Sequence, residues 1–171
     1  MRRRIGTSLY AGFLFTVLGF VAWVSGQPFI FPSLGPSAFL LAFERHSDWQ
    51  RTYGIVGSHL IGGIAGLLAF TILGNSAVVV GSPPALSADG LRLVASASLS
   101  LILTSWGMIA TDTIHAPACA TTLIVSLGVL STPTQVAIII VSVVLLVGSH
   151  TAVLVVFKRL VGQTHPVSSE E

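Results

Sequence analysis

The sequence predicts an all-α, polytopic transmembrane helix bundle with four full spans, two proline-broken membrane segments and a two-fold internal repeat. Three observations predict it. Of 171 residues, 53% are hydrophobic and 8% charged, whereas about a quarter of residues are charged in soluble proteins. Four apolar runs reach the roughly 20 residues that cross a hydrocarbon core about 30 Å thick. Two further apolar runs, one in each half, are interrupted by proline. Residues 1–160 read as a single transmembrane domain and "VGQTHPVSSEE" (161–171) as a short disordered tail.

The first span runs over 8–26, with Trp23 near its far end, where an indole suits the membrane interface. "MRRR" before it has the look of a signal-peptide start, but the apolar run from Ile5 to Val24 exceeds the roughly 7 to 15 residues of a signal core, so a retained span is expected. The next segment, "QPFIFPSLGPSAFLLAF" (27–43), contains Pro28, Pro32 and Pro36. Proline lacks a backbone donor and clashes with the preceding turn, so no continuous helix runs through it. A short helix can begin at Pro36.

"ERHSDWQR" (44–51) is the densest charge cluster and belongs in water or among headgroups. The second full span, 54–73, opens with "GSHLIGGIAG", whose small residues let membrane helices approach closely, within the chain or between copies in a homo-oligomer. A turn-forming connection with Pro83 and Pro84 follows. The third span, 91–110, is hydroxylated at Ser96, Ser98, Ser100, Thr104 and Ser105. After it "ATDTIHAPACATTL" (110–123) brings an acid, an imidazole and a proline together, and the last span covers 136–157, ending at Lys158 and Arg159.

Each half thus has a span, a broken segment with a proline after a small residue ("GPSA", "APAC"), and a span carrying "GSH" (57–59 and 148–150). If both broken segments cross, the halves are inverted repeats, and "MRRR", Arg45, Arg51, Lys158 and Arg159 share one side, as the positive-inside bias prefers. If both re-enter, the 44–51 cluster lies on the other side. The six-segment inverted arrangement is preferred. The basic residues serve as topology signals, and a formal charge of +2 gives no reason to expect nucleic acid.

Proline is favoured at the first helical position, so Pro36 and Pro117 mark helix starts, with the small residue Gly35 directly before the first. A helix start inside the membrane directs N–H groups and the positive dipole end at any cavity, which suits an anion. Irregular backbone at that depth must be buried in protein or line a watery cavity. The alternative is two packed kinks.

Asp112 is costly at a helix centre and so should face the interior or an interface. His115, three residues on, can pair with it if the chain stays helical, and an imidazole is a switchable anion contact or proton relay. His59 and His150 are the other intramembrane imidazoles, and a satisfied core histidine is the competing reading for each. Ser37, Thr121 and Thr122 offer hydroxyls at the helix starts. The histidines lack ligand-pair spacing and an acidic cluster, so no metal is expected. No phosphate loop, nucleophile elbow or redox pair occurs, so neither an enzyme nor a cofactor is expected. The single cysteine, Cys119, reads as a small buried residue beside the break.

"HAPACATTLIVSLG" (115–128) resembles the name-giving stretch of the HPP family of integral membrane proteins, approximately H-P-P-A-G-A-T. His115, Pro117, Ala118, Ala120 and Thr121 match, while Ala116 replaces the middle proline and Cys119 the glycine. "PSLGPSAFLL" (32–41) is similar to the family's Pro and Gly-x-Ser-Ala segment through Pro32, Gly35, Ser37 and Ala38, and "GSHLIGG" to its Gly-x-His through Gly57 and His59. The resemblance runs in order over about residues 8–157 and marks a divergent member. It implies a small membrane protein of four or more spans, and plastid and cyanobacterial relatives in the family are implicated in nitrite transport.

Together these readings lead to a multi-pass protein of the cytoplasmic membrane, with the lipid bilayer and a small inorganic anion as its partners. Ser37, Ala38, His115, Ala118, Cys119 and Thr121 are the expected substrate contacts. Asp112, His115, His59 and His150 are the expected proton carriers, and Pro36, Pro117 and Gly35 shape the backbone. A passive anion channel and a non-transporting subunit or scaffold are the alternatives.

Overall fold

The computed structural model describes residues 2–44, 49–74, 81 and 83–161. Arg45 and all but the first residue of the tail expected over 161–171 lie outside the described residues, and Val161 closes the last helix. Among the described residues six helices make up the bundle: α1 (Arg2–Ser25), α2 (Leu34–Glu44), α3 (Trp49–Ala69), α4 (Ala88–Thr111), α5 (Pro117–Ser126) and α6 (Pro133–Val161). A π-helical turn, Phe70–Gly74, prolongs α3. Four of these helices, counting that extension, are long and apolar enough to cross a membrane, and α2 and α5 are shorter apolar helices. With 11 and 10 residues, the short pair reach only about 15 Å each, half of a hydrocarbon core about 30 Å thick.

Helix direction can be followed through close contacts. Along α3, Gly62 meets Ala118 and Gly66 meets Thr122 and Val125, so α3 and α5 run the same way. Gly57 lies against Thr113 and Gly107 against Ile61, so α4 runs opposite to α3. Gly63 faces Val136, whereas Trp49 shares a groove with Ala152, so α6 also opposes α3. On α2, Ser33 at the helix start pairs with Thr121 and Ser37 with His115, which sets α2 against α5. Tyr10 on α1 meets His150 on α6, and Leu14 and Leu18 continue into the core beside Phe31 and Leu34. Direction therefore alternates from α1 to α6, and the order long, short, long occurs twice.

This arrangement gathers Arg4 at the start of α1, Arg51 at the start of α3, and Lys158 and Arg159 in the last turn of α6 at one end, here termed the basic end. The opposite flank of most helices is apolar and uncovered, as at Leu9, Phe20, Trp106 and Leu160. Such a surface is a liability in water and fits a lipid solvent. The small residues of "GGIAG" are turned inward: Gly62, Gly63, Ala65 and Gly66 are buried. A Cβ on Gly62 or Gly66 would come within 2.8 Å of α5 backbone oxygen, so these glycines serve packing within the chain.

Two local expectations are corrected. The helix containing Pro36 starts at Leu34, which makes Pro36 its third residue. None of the first-turn N–H groups has a partner inside the helix, so a proline lacking that group fits there as well as at the first position. Cys119 is partly exposed rather than buried. Pro117 does begin its helix.

Candidate functional site

The start of α2 and the start of α5 meet beside α3, and the meeting is polar. Ser33, Ser37, His59 and Thr121 have no solvent exposure, and His115 is 8% exposed. Ser37 Oγ lies 3.0 Å from His115 Nε2, 3.2 Å from His59 Nε2 and 3.2 Å from the carbonyl oxygen of Ser33. His59 Nδ1 lies 2.7 Å from Thr121 Oγ1, which is 2.7 Å from Ser33 Oγ. The two imidazole centroids are 5.4 Å apart.

A hydroxyl has one hydrogen and two lone pairs, and a neutral imidazole one donor and one acceptor. One assignment satisfies every member: Ser37 donates to Ser33 O and accepts from both Nε2–H groups. His59 Nδ1 then accepts from Thr121, and Thr121 accepts from Ser33. A buried network with all its members paired is rigid, because any unpaired group at low dielectric is costly.

His115 has a second face. Among the described residues Ser126 Oγ is the one buried side-chain polar atom without a partner, so His115 Nδ1, which bonds none of them, keeps access to solvent. His115 lines a cavity of about 440 Å³ at the basic end, together with Leu40, Glu44, Arg51, Asp112 and Ile114. Arg51 reaches into its wall, with Nη2 2.7 Å from Glu44 Oε2 and donating to Leu40 O at 3.2 Å. Imidazole and guanidinium thus face one aqueous pocket.

The backbone donors at the helix starts are already engaged. Ala118 N–H donates to His115 O and Cys119 N–H to Ala116 O, both at 3.0 Å. In a helix beginning at Leu34, the N–H groups of Ser37 and Ala38 also fall within its ladder. What remains at this junction is the positive dipole end of two short helices and a set of side-chain groups.

Asp112 ends α4 in the left-handed conformation, φ 54°, which an aspartate tolerates better than most residues. The chain leaves the helix there, so the helical pairing expected of Asp112 and His115 does not form. The two share the cavity wall instead. His150 stands apart, its Nδ1 3.0 Å from Tyr10 Oη, and none of the hydrogen bonds of Ser37, His59, His115 or Thr121 reaches it. The described residues contain no group of three or more His, Cys, Asp or Glu placed to hold a metal.

Sequence reading missed Ser33, Arg51 and Glu44. Ser33 had a signal, standing four residues before Ser37 with both on one helix face. Arg51 read as a topology charge, and only the fold turns it toward His115.

No match was found among curated proteins or among solved structures. The family model for the HPP transmembrane region matches residues 1–166. With nearly the whole chain matched, including the histidines and the broken segments, this protein belongs to the HPP family.

Proposed function

We propose that this protein moves a small monovalent anion, nitrite or a similar ion, across the cytoplasmic membrane, binding it where His115 opens onto the basic-end cavity. The single observation that carries the reading is the two-sided position of His115. Its Nε2 is fixed by the buried Ser37 hydroxyl, and its Nδ1 remains open to a pocket shared with Arg51. Neutral, Nδ1 presents a lone pair to the cavity; protonated, it presents a donor and a positive charge. Anion and proton then bind cooperatively at one group.

The dipole ends of α2 and α5 add positive potential at the same place. Ser37 and Thr121 hold the two imidazoles, and Ala38, Ala118 and Cys119 form the backbone around them. His59 takes the proton onward from His115 through Ser37 in its other tautomer, with Nδ1–H donating to Thr121 and Nε2 accepting from the Ser37 hydroxyl, and Asp112 supplies the proton from the cavity mouth. His150, bonded to Tyr10, supports the α1–α6 contact. In this reading the two halves are inverted repeats, and the basic end faces the cytoplasm by the positive-inside bias.

The test is uptake of nitrite into liposomes containing the purified protein, with nitrate, formate and chloride as competitors, and with and without a proton gradient. Saturable uptake that a proton gradient stimulates and His115→Ala abolishes is the expected result. Uptake that neither saturates nor follows the gradient makes the protein a passive channel. No uptake of any of these ions moves the reading to a non-transporting subunit.

A further inference from the structure

The basic-end cavity stops at His115, so an ion bound there needs a second passage to the opposite end. One seam in the bundle has the chemistry for it. On α4, Ser96, Ser100 and Thr104 recur every four residues, on one helix face at steps of about 6 Å. All three are fully buried, whereas Ser98 on another face of α4 is exposed. Opposite them α5 presents Thr122 and Ser126, also fully buried and four residues apart.

The two rows meet. Thr104 Oγ1 lies 2.8 Å from Thr122 Oγ1, and Ser96 Oγ donates to Ser126 O at 2.9 Å. Ser100 and Thr122 also bond carbonyls of their own helices, as hydroxyls in membrane helices often do. Ser126 breaks that pattern. Its hydroxyl is fully buried and bonds nothing among the described residues, a state that low-dielectric surroundings penalise.

The seam begins where the histidine network ends, because Thr121, the partner of His59, is the chain neighbour of Thr122. From there it runs toward the start of α4, away from the basic end. In this conformation α3 closes it: a Cβ on Gly62 would lie 2.7 Å from Thr122 Oγ1, and one on Gly66 2.8 Å from Thr122 O. One side of the histidine network is open and the other shut.

We propose that the α4–α5 seam is the opposite-side half of the route, a hydroxyl-lined passage that opens when α3 withdraws and that hands a small anion from the histidine network past Ser126. The inference rests on the transport reading for the identity of the ion but not for the existence of the passage. Its test is thiol accessibility in a Cys119→Ala chain carrying Ser126→Cys, Ser100→Cys or, as a buried control on α6, Ser142→Cys.

The probe is a membrane-impermeant anionic methanethiosulfonate, added to vesicles from the side opposite the basic end. Ser126→Cys and Ser100→Cys should react at least tenfold faster than Ser142→Cys, and excess nitrite or nitrate should slow them. Reaction of both at the Ser142→Cys rate overturns the passage. The two seam positions serve as replicates if one variant fails to insert. Fast labelling without nitrite uptake by the unaltered chain leaves the passage standing and removes nitrite alone.

Discussion

The Ser37 hydroxyl and the His115 imidazole meet at 3.0 Å across 78 residues of chain, tying the first turn of one short helix to the start of the other. Ser37 also touches His59 Nε2. One small side chain therefore fixes two imidazoles from two different elements, and its removal tests the network as a unit.

In Ser37→Ala both Nε2 atoms lose the partner they share. A buried group left unpaired costs about 1–3 kcal/mol, although hydrogen bonds between membrane helices average nearer about 0.6 kcal/mol. A loss of about 1–2 kcal/mol is expected, read as a lowered unfolding temperature in detergent. Uptake should fall more than tenfold. Wild-type stability together with wild-type uptake would show that the hydroxyl holds nothing.

His115→Gln separates the hydrogen bond from the charge. Glutamine can keep a donor near Ser37 but cannot titrate. With His115 present, anion uptake should strengthen as pH falls, because the protonated ring adds a positive charge to the pocket, and weaken as pH rises. In His115→Gln that dependence should flatten. A pH profile unchanged in the variant would show that a group other than His115 carries the titration.

Gly62→Ala should destabilise the bundle, since its Cβ would meet the Ala118 carbonyl oxygen at 2.8 Å and backbone cannot swing aside. Overpacking of this kind costs about 1–3 kcal/mol. Gly54→Ala is the control, with nothing within 4 Å of its Cβ, and should be neutral or slightly stabilising because alanine favours a helix by up to about 1 kcal/mol. Equal unfolding temperatures for the two variants would refute the close approach of α3 and α5.

Arg51→Gln removes the guanidinium from the cavity wall and its pairing with Glu44. If Arg51 concentrates anions at the mouth, KM for uptake should rise severalfold with kcat nearly unchanged, and the effect should shrink at high salt as the charge is screened. A fall in kcat at constant KM would instead make Arg51 part of the moving machinery.

The long helices were legible because hydropathy over about 20 residues is a one-dimensional signal. The start of α5 was legible for a similar reason, since a proline before an apolar run has few other uses. Convergence of His59 and His115 on Ser37 was not legible. Each residue was visible as an odd polar group, but their meeting depends on α2 and α5 overlapping in opposite directions, which no local spacing encodes. The engaged N–H groups of Ala118 and Cys119 were hidden too, because a tight first turn that bonds its own carbonyls has the same sequence as an open one. The α4 hydroxyls appeared as an undivided scatter, and packing alone separates buried Ser100 from exposed Ser98.

The depth of the basic-end cavity bears on how the membrane voltage acts. His59 is ten positions beyond the first residue of α3, about 15 Å along its axis at 1.5 Å per residue, and water reaching His115 carries the potential of the basic side nearly to that level. The voltage then falls mainly across the closed half of the protein. A charge crossing the whole field gains or loses about 2.3 kcal/mol per 100 mV. An anion would collect little of that energy on reaching His115 and most of it on leaving toward the opposite end. In the proposed cycle, membrane potential should therefore alter the rate of transfer far more than the affinity measured from the basic side.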